Sequence, residues 1–460
     1  MDNNIERLRT KHGDFIYEDY SYNYSGYNIK LNYTFRLGEN IVFKPSIVIA
    51  NVDEKTIRQK DELAIENFVF NIGMVLIPSY WKTTVSPKII IRAAHLSEWQ
   101  LIFWSDLFMK GMGQFYYENK IDVSRNDFFK IISASNRNIR TKPEKMNGDK
   151  VLVPVGGGKD SAVTLEHLKT KFREISAFIM KPSSEASYNL VKTAGFHNVI
   201  EAENILDPAM LEMNKKGFLN GHTPYSALLA FIGTFIAMLT DHKHIAFSNE
   251  RSSEEGNISY LGVDINHQYS KTFEFEGKFR EYNKKVLSDV EYFSFLRPLY
   301  EIQIAKLFSK HEDYFSVIRS CNVGQKEGVW CSECPKCLST FTMLYPYLGP
   351  IRIREIFPKN IFNNAELRKM LKSMVDENET KPFECVGTRE ETKIALYLSL
   401  MWHEEENMPD LLKYAKDTLL AGERDMKERA VKIINSWNSK NYLNARFTNI
   451  LKNVMKEKHG

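Results

Sequence analysis

Cysteine is scarce in this chain, with five residues among 460, and four of the five crowd between Cys321 and Cys337. An odd total clustered in this way speaks against a disulfide framework. Neither sign of charge dominates: 62 Lys and Arg face 58 Asp and Glu. Such balance excludes a dedicated nucleic-acid binder as the first expectation. No apolar run reaches membrane-spanning length. The longest, Ser226 to Leu239, is broken by Gly233 and Thr234 and reads as a buried helix. The opening Met-Asp-Asn-Asn-Ile-Glu-Arg carries no apolar stretch of the secretory kind. Membrane insertion is therefore not expected, and a cytoplasmic location is. Internal repeats and low-complexity tracts are also missing, and the length suits two or three domains.

What is present begins at Asp149, where the chain reads Asp-Lys-Val-Leu-Val-Pro-Val-Gly-Gly-Gly-Lys-Asp-Ser. An apolar strand enters a triple-glycine turn, and a helical run follows from Ser161. Glycines let backbone N–H groups approach phosphate, and a helix start adds its positive end. Spacing selects among phosphate loops. A Walker A loop needs glycine where Val153 stands and Ser or Thr where Asp160 stands. The dinucleotide fingerprint needs glycine or alanine where Ser161 stands. Both fail. The run resembles the PP-loop, Ser-Gly-Gly-x-Asp-Ser, with Gly156 replacing the first serine. That resemblance implies cleavage of ATP between its α- and β-phosphates, with Gly156, Gly157, Gly158, Lys159, Asp160 and Ser161 as the cradle.

The second signal is Cys321-x9-Cys331-x2-Cys334-x2-Cys337. Four thiolates at this spacing suit a closed tetrahedral structural zinc site, with an iron–sulfur cluster or an empty cluster as alternatives. The third is Ser248-Asn249-Glu250-Arg251, after an expected strand. Here Asn249 suits phosphate or ribose, Glu250 suits Mg²⁺ alone or with Asp160, and Arg251 suits an anionic group. The bland alternative is a solvated charged loop. Two polar segments follow, around Asn220-Gly221-His222-Thr223-Pro224 and His267-Gln268-Tyr269-Ser270-Lys271. His222, His267 and Lys271 are candidate catalytic groups, while Thr223 and Pro224 also suit a plain helix start, as cap and first residue. Cys385, the one cysteine outside the cluster, precedes a Gly-Thr helix start and is a further candidate. A lone cysteine is otherwise a small buried hydrophobe.

Residues 1–145 read as an α+β N-terminal domain of unknown role, with strands between Tyr17 and Val52 and helices at Leu63–Val75 and Ala93–Tyr117. Asn136–Asp149 reads as a linker. Across 146–345, strands at Val151–Val155, Ile175–Met180, Val199–Ala202, His244–Ser248 and Tyr292–Leu296 alternate with helices. This predicts an α/β fold with a parallel sheet, helices on both faces, and ligands beyond the strands' carboxyl ends. Residues 346–460 read as a mainly helical region whose basic tail, from Asn444, is a solvated helix end.

Taken together, six motifs resemble the UDP-N-acetylmuramoyl-L-alanyl-L-glutamate epimerase family of the PP-loop ATP pyrophosphatase superfamily. They are Val-Pro-Val-Gly-Gly-Gly-Lys-Asp-Ser, Asn-Gly-His-Thr-Pro, Ser-Asn-Glu-Arg-Ser, Asn-His-Gln-Tyr-Ser-Lys, Trp-Cys-Ser-Glu-Cys-Pro-Lys-Cys and Lys-Pro-Phe-Glu-Cys-Val-Gly. The resemblance implies a PP-loop (adenine nucleotide alpha hydrolase-like) fold. It also implies ATP- and Mg²⁺-dependent inversion of a terminal L-glutamate on a UDP-linked muramoyl dipeptide, through an acyl-adenylate, in peptidoglycan synthesis. A similar cysteine cluster in 7-cyano-7-deazaguanine synthase makes an adenylating amide- or nitrile-forming enzyme the runner-up. A non-catalytic nucleotide-binding module comes third.

Overall fold

The computed structural model describes residues 3–124, 127–139, 143–197, 199–324 and 327–456. Residues 140–142 of the expected linker and 457–460 of the basic tail lie outside these. Strands β1 (Phe15–Ser25), β2 (Asn28–Leu37), β3 (Ile41–Phe43) and β4 (Ser46–Ala50) form an antiparallel meander, and β5 (Lys88–Ile91) and β6 (Lys130–Ser133) add parallel to β1. The later strands are β7 (Val151–Pro154), β8 (Ile175–Lys181), β9 (Val199–Ile205), β10 (His244–Phe247), a hairpin of β11 (Ile258–Tyr260) and β12 (Val263–Ile265), and β13 (Glu291–Ser294).

β9, β8, β7, β10 and β13 lie side by side in that order, all parallel. β9 then pairs antiparallel with β4, Ile49 opposite Ala202, so one eleven-stranded sheet runs through the N-terminal third and the glycine-loop region alike. Successive strand residues point to opposite faces. Leu152, Phe178, Ile245 and Tyr292 thus enter one apolar core, and Val153, Ala177, Ala246 and Phe293 enter the other. Helices cover both faces, which is why the central strands are apolar throughout.

Three local expectations change. The helix expected at Leu63–Val75 runs from Glu62 to Trp81, capped by Asp61 and continuing through Pro78. By length and composition it is apolar enough to cross a membrane, yet 83% of its most apolar window is buried inside this protein, against β1, β2 and the helix Tyr225–Leu239. Pro224 occupies the cap position of that second helix rather than its first turn, because its ψ of 68° is not helical, and no side chain caps the helix. The tail helix Ala445–Lys456 is not solvated throughout. Phe447, Ile450, Leu451 and Val454 are buried, and the Phe447 ring lies 5.0 Å from Phe172 and 4.5 Å from Phe293.

Candidate active-site cleft

β7 is flanked by β8 and β10, and the chain leaves it toward β8 on one side and later returns to β10 on the other. The strand order therefore reverses between β7 and β10, and a crevice opens where their following loops part. A cleft of about 340 Å³ lies there, lined by the glycine turn after β7, by Ser248, Asn249 and Glu250 after β10, and by Lys271, Lys336 and Cys385.

The glycine turn is shaped by one demanding position. Gly157 has φ of 84°, and a side chain there would also meet Ser187 at 3.0 Å. Gly158 is the cap of the helix Lys159–Leu168 and supplies no side chain, so the helix start keeps N–H groups to offer an anion. The Gly156 N–H donates to Ser161 Oγ at 3.2 Å, and open space surrounds the position where a Gly156 side chain would stand. Gly156, Gly158, Asp160 and Ser161 line the cleft; Gly157 and Lys159 do not. Lys159 instead turns under it, with Nζ 2.6 Å from Asp160 Oδ1 and 3.0 Å from Glu301 Oε1. Burial disfavours the Lys159 ammonium, but Asp160 and Glu301 outweigh it and hold its pKa above the ordinary lysine value.

Asn249 and Glu250 are buried at the cleft wall, and Asn249 Nδ2 donates to Ser294 Oγ at 3.1 Å. Arg251 does not line the cleft; its guanidinium lies 4.2 Å over the Tyr300 ring. A second arginine, Arg297, organises this wall from beneath. Fully buried, it donates to the Glu250 carbonyl at 2.8 Å and to the Lys271 carbonyl, and it pairs with Glu254 at 2.9 Å.

Lys271 and Cys385 meet, with Nζ 3.0 Å from Sγ. Burial would lower the Lys271 pKa, but Cys385, Glu250 and Asp160 together raise it above the usual value. Lys336 donates to the Cys385 carbonyl, and Asn322 to the Glu384 carboxylate. His222 and His267 sit together, ring centroids 6.0 Å apart, behind the Phe383 loop and outside the cleft lining. Burial is the main reason both are poor bases, their pKa values falling to about 4 for His222 and about 2 for His267. His267 Nδ1 lies 3.2 Å from Asn257 Oδ1, and Asn257 Nδ2 donates to the Pro382 carbonyl at 2.8 Å. This chain of contacts braces the loop that carries Cys385.

Cys321, Cys331, Cys334 and Cys337 place all four Sγ atoms within 4.8 Å of one another. Tetrahedral zinc with Zn–S near 2.3 Å requires S···S separations of about 3.8 Å. Cys321 and Cys334 stand at 3.8 Å and Cys331 and Cys337 at 3.7 Å, so the four thiols could hold a metal such as zinc. Backbone N–H groups of Gly324 and Cys334 point at the Cys321 and Cys331 sulfurs, at 3.1 and 3.3 Å, as thiolates require. Cys321 also lines the cleft, so the knuckle forms part of its wall.

Two family models match this chain, the MurL N-terminal domain over residues 6–295 and the MurL C-terminal domain over residues 315–428. The chain belongs to the MurL family. Three relatives share the name UDP-N-acetyl-alpha-D-muramoyl-L-alanyl-L-glutamate epimerase. The protein from Micromonospora sp. is 32% identical over 326 residues, 70% of this chain and 72% of the relative. That from Salinispora tropica is 30% identical over 337 residues, 70% of each chain. That from Xanthomonas oryzae pv. oryzae is 29% identical over 343 residues, 72% of this chain and 74% of the relative. Several residues of this MurL-family cleft escape a reading of the sequence. Lys336 and Glu384 stood inside motifs already singled out, beside the cysteines that drew attention. Arg297 and Glu301 carry no motif, and only the packing of β13 beside β10 brings them under the cleft.

Proposed function

We propose that this chain inverts the α-carbon of the terminal L-glutamate of UDP-N-acetylmuramoyl-L-alanyl-L-glutamate, using ATP to activate the neighbouring carboxylate. One observation carries the reading: the glycine turn at the sheet's switch point and the Lys271–Cys385 pair open on the same cleft. Membership of the MurL family and the names of the three relatives support the substrate.

The chemistry explains why the two must be neighbours. Removing a proton next to a carboxylate would place a second negative charge beside the first. Attack of that carboxylate on the α-phosphorus of ATP expels pyrophosphate and leaves an acyl-adenylate, whose carbonyl can take the charge as an enolate. Gly156, Gly158, Ser161 and the helix start would hold the phosphates, with Asn249 against phosphate or ribose. Asp160 and Glu250 are hard oxygen donors that line the same cleft and would hold Mg²⁺, which when bound would neutralise phosphate charge. Cys385, its sulfur 3.0 Å from Lys271 Nζ, takes the Cα proton. A donor on the opposite wall returns one to the other face, and water then releases AMP and the D-glutamyl product. His222 and His267 support the Phe383 loop in this scheme.

The test is incubation with ATP, Mg²⁺ and the UDP-linked dipeptide in D₂O. The expected result is D-glutamate carrying deuterium at Cα, with AMP and pyrophosphate formed alongside. AMP released only when ammonia is supplied would transfer the assignment to an amide-forming enzyme, and no AMP at all would leave a nucleotide-binding module.

A further inference from the structure

Beside the cleft lies a second cavity of about 300 Å³, and Tyr225 lines both. Its polar wall is unusual. Lys82 is 8% exposed, with Nζ 2.8 Å from the Gly221 carbonyl and no carboxylate in ion-pair distance among the described residues. A buried ammonium without a counter-ion is costly, and burial lowers its pKa to about 8. Asn204 and Asn214 line the same cavity, and the Oδ1 atom of each is buried without a hydrogen-bond partner. The other wall is apolar and open, with Leu206, Leu211 and the Tyr225 ring partly in solvent. Unsatisfied acceptors, a cation without a counter-ion and an apolar face are all present in one cavity adjoining the cleft. Such groups are normally satisfied, so their coincidence points to a ligand.

We infer that this second cavity is the subsite for the uridine diphosphate end of the substrate, with the diphosphate on Lys82 and the sugar or base N–H and O–H groups on Asn204 and Asn214. The base would rest on the Tyr225 and leucine wall. This rests on the proposed activity, because a substrate whose glutamate reaches Cys385 must extend its nucleotide elsewhere. Two extended residues cover only about 7 Å. The nucleotide must therefore lie outside the ATP-binding part of the cleft, and the cavity sharing Tyr225 adjoins it.

Calorimetric titration with UDP, on the full chain already saturated with ATP and Mg²⁺, tests the subsite. UDP should bind, and Lys82→Met and Asn214→Leu should each weaken it about tenfold or more while ATP affinity stays the same. In turnover the same variants should raise KM for the UDP-linked dipeptide more than they lower kcat. UDP that fails to bind, that competes with ATP, or that binds both variants as tightly as the parent would overturn the subsite. UDP binding with the expected variant losses but without epimerised product would keep the subsite and overturn the activity. Epimerised product with unchanged KM in both variants would do the reverse.

Discussion

Lys159 and Glu301 form an ion pair of 3.0 Å in which the two side chains are only 3% and 2% exposed. The lysine begins the helix after β7 and the glutamate begins the helix Glu301–Phe308 after β13. Their pairing therefore ties two strand ends together directly beneath the cleft, and it fixes Asp160 through the same ammonium at 2.6 Å.

Removing one partner of such a pair leaves the other charge buried. Glu301→Ala should cost roughly 3–5 kcal/mol of unfolding free energy. Burial alone would raise the Glu301 pKa, but Lys159 and Lys336 outweigh it and hold it below the ordinary value of 4.5. A lowered carboxyl pKa contributes stability that is complete above the unfolded value and lost as pH falls through the folded one. Urea unfolding at a series of pH values should show the parent losing stability more steeply than Glu301→Gln below about pH 4.5. Equal slopes would mean that folding leaves the Glu301 pKa unshifted, so the pair with Lys159 adds no pH-dependent stability.

Cys385 and Lys271 separate the two halves of the proposed reaction. Cys385→Ser should slow deuterium exchange at the glutamate Cα by about 10²–10⁴-fold, the usual contribution of a placed acid or base. Formation of AMP should survive, because activation uses the glycine turn and not the thiol. Lys271→Met should slow exchange as well, since the Cys385 sulfur loses the ammonium 3.0 Å away, and Lys271→Arg should recover part of it. Mass spectrometry of the glutamate and chromatography of the nucleotides read the two effects independently. A Cys385→Ser enzyme with unimpaired exchange removes the thiol from the mechanism.

The sequence already displayed what is local. A strand, three glycines and the start of a helix lie within thirteen residues, and four cysteines within seventeen, so neither needs tertiary information. The alternation after β7 likewise announced a parallel sheet. What stayed hidden depends on distant partners. The four-residue strands β5 and β6 are too short for a period to emerge, and the joining of β9 to β4 depends on a register that no local pattern encodes. Lys159 reads as a phosphate ligand from its motif, and its pairing with Glu301, far along the chain, could not be seen there. The tail was misread for a different reason. Its Lys, Arg and Asn content suggested solvent, yet Phe447, Ile450, Leu451 and Val454 recur at helical spacing and mark a buried face.

Metal removal should reach the cleft as well as the core. The cysteine knuckle begins the helix Pro335–Arg352, and Lys336 from its first turn holds the Cys385 carbonyl. Chelation, or Cys334→Ser, should lower the melting temperature and release close to one metal ion per chain. It should also free the Cys385 loop. Alkylation of Cys385, resolved from the other thiols by peptide mapping, should then accelerate well below the melting transition. Loss of stability with Cys385 as protected as before would confine the metal to a role in packing.

Phe447 makes the strongest demand on the tail. Its ring stacks on Phe172, lies 4.5 Å from Phe293 on β13, and stands 5.3 Å from His244 on β10. Arg446 covers the outer side, 3.8 Å over the Phe172 ring, and pairs with Asp149 just before β7. The tail thereby closes the lower end of the strands whose upper ends form the cleft. Phe447→Ala should cost about 3–5 kcal/mol in urea unfolding, the range for removing a buried aromatic ring. Arg446→Ala loses an exposed ion pair and a cation–π contact and should cost no more than about 1–2 kcal/mol. A solvated helix end would make both substitutions nearly neutral, so the size of the Phe447 effect decides between the two descriptions.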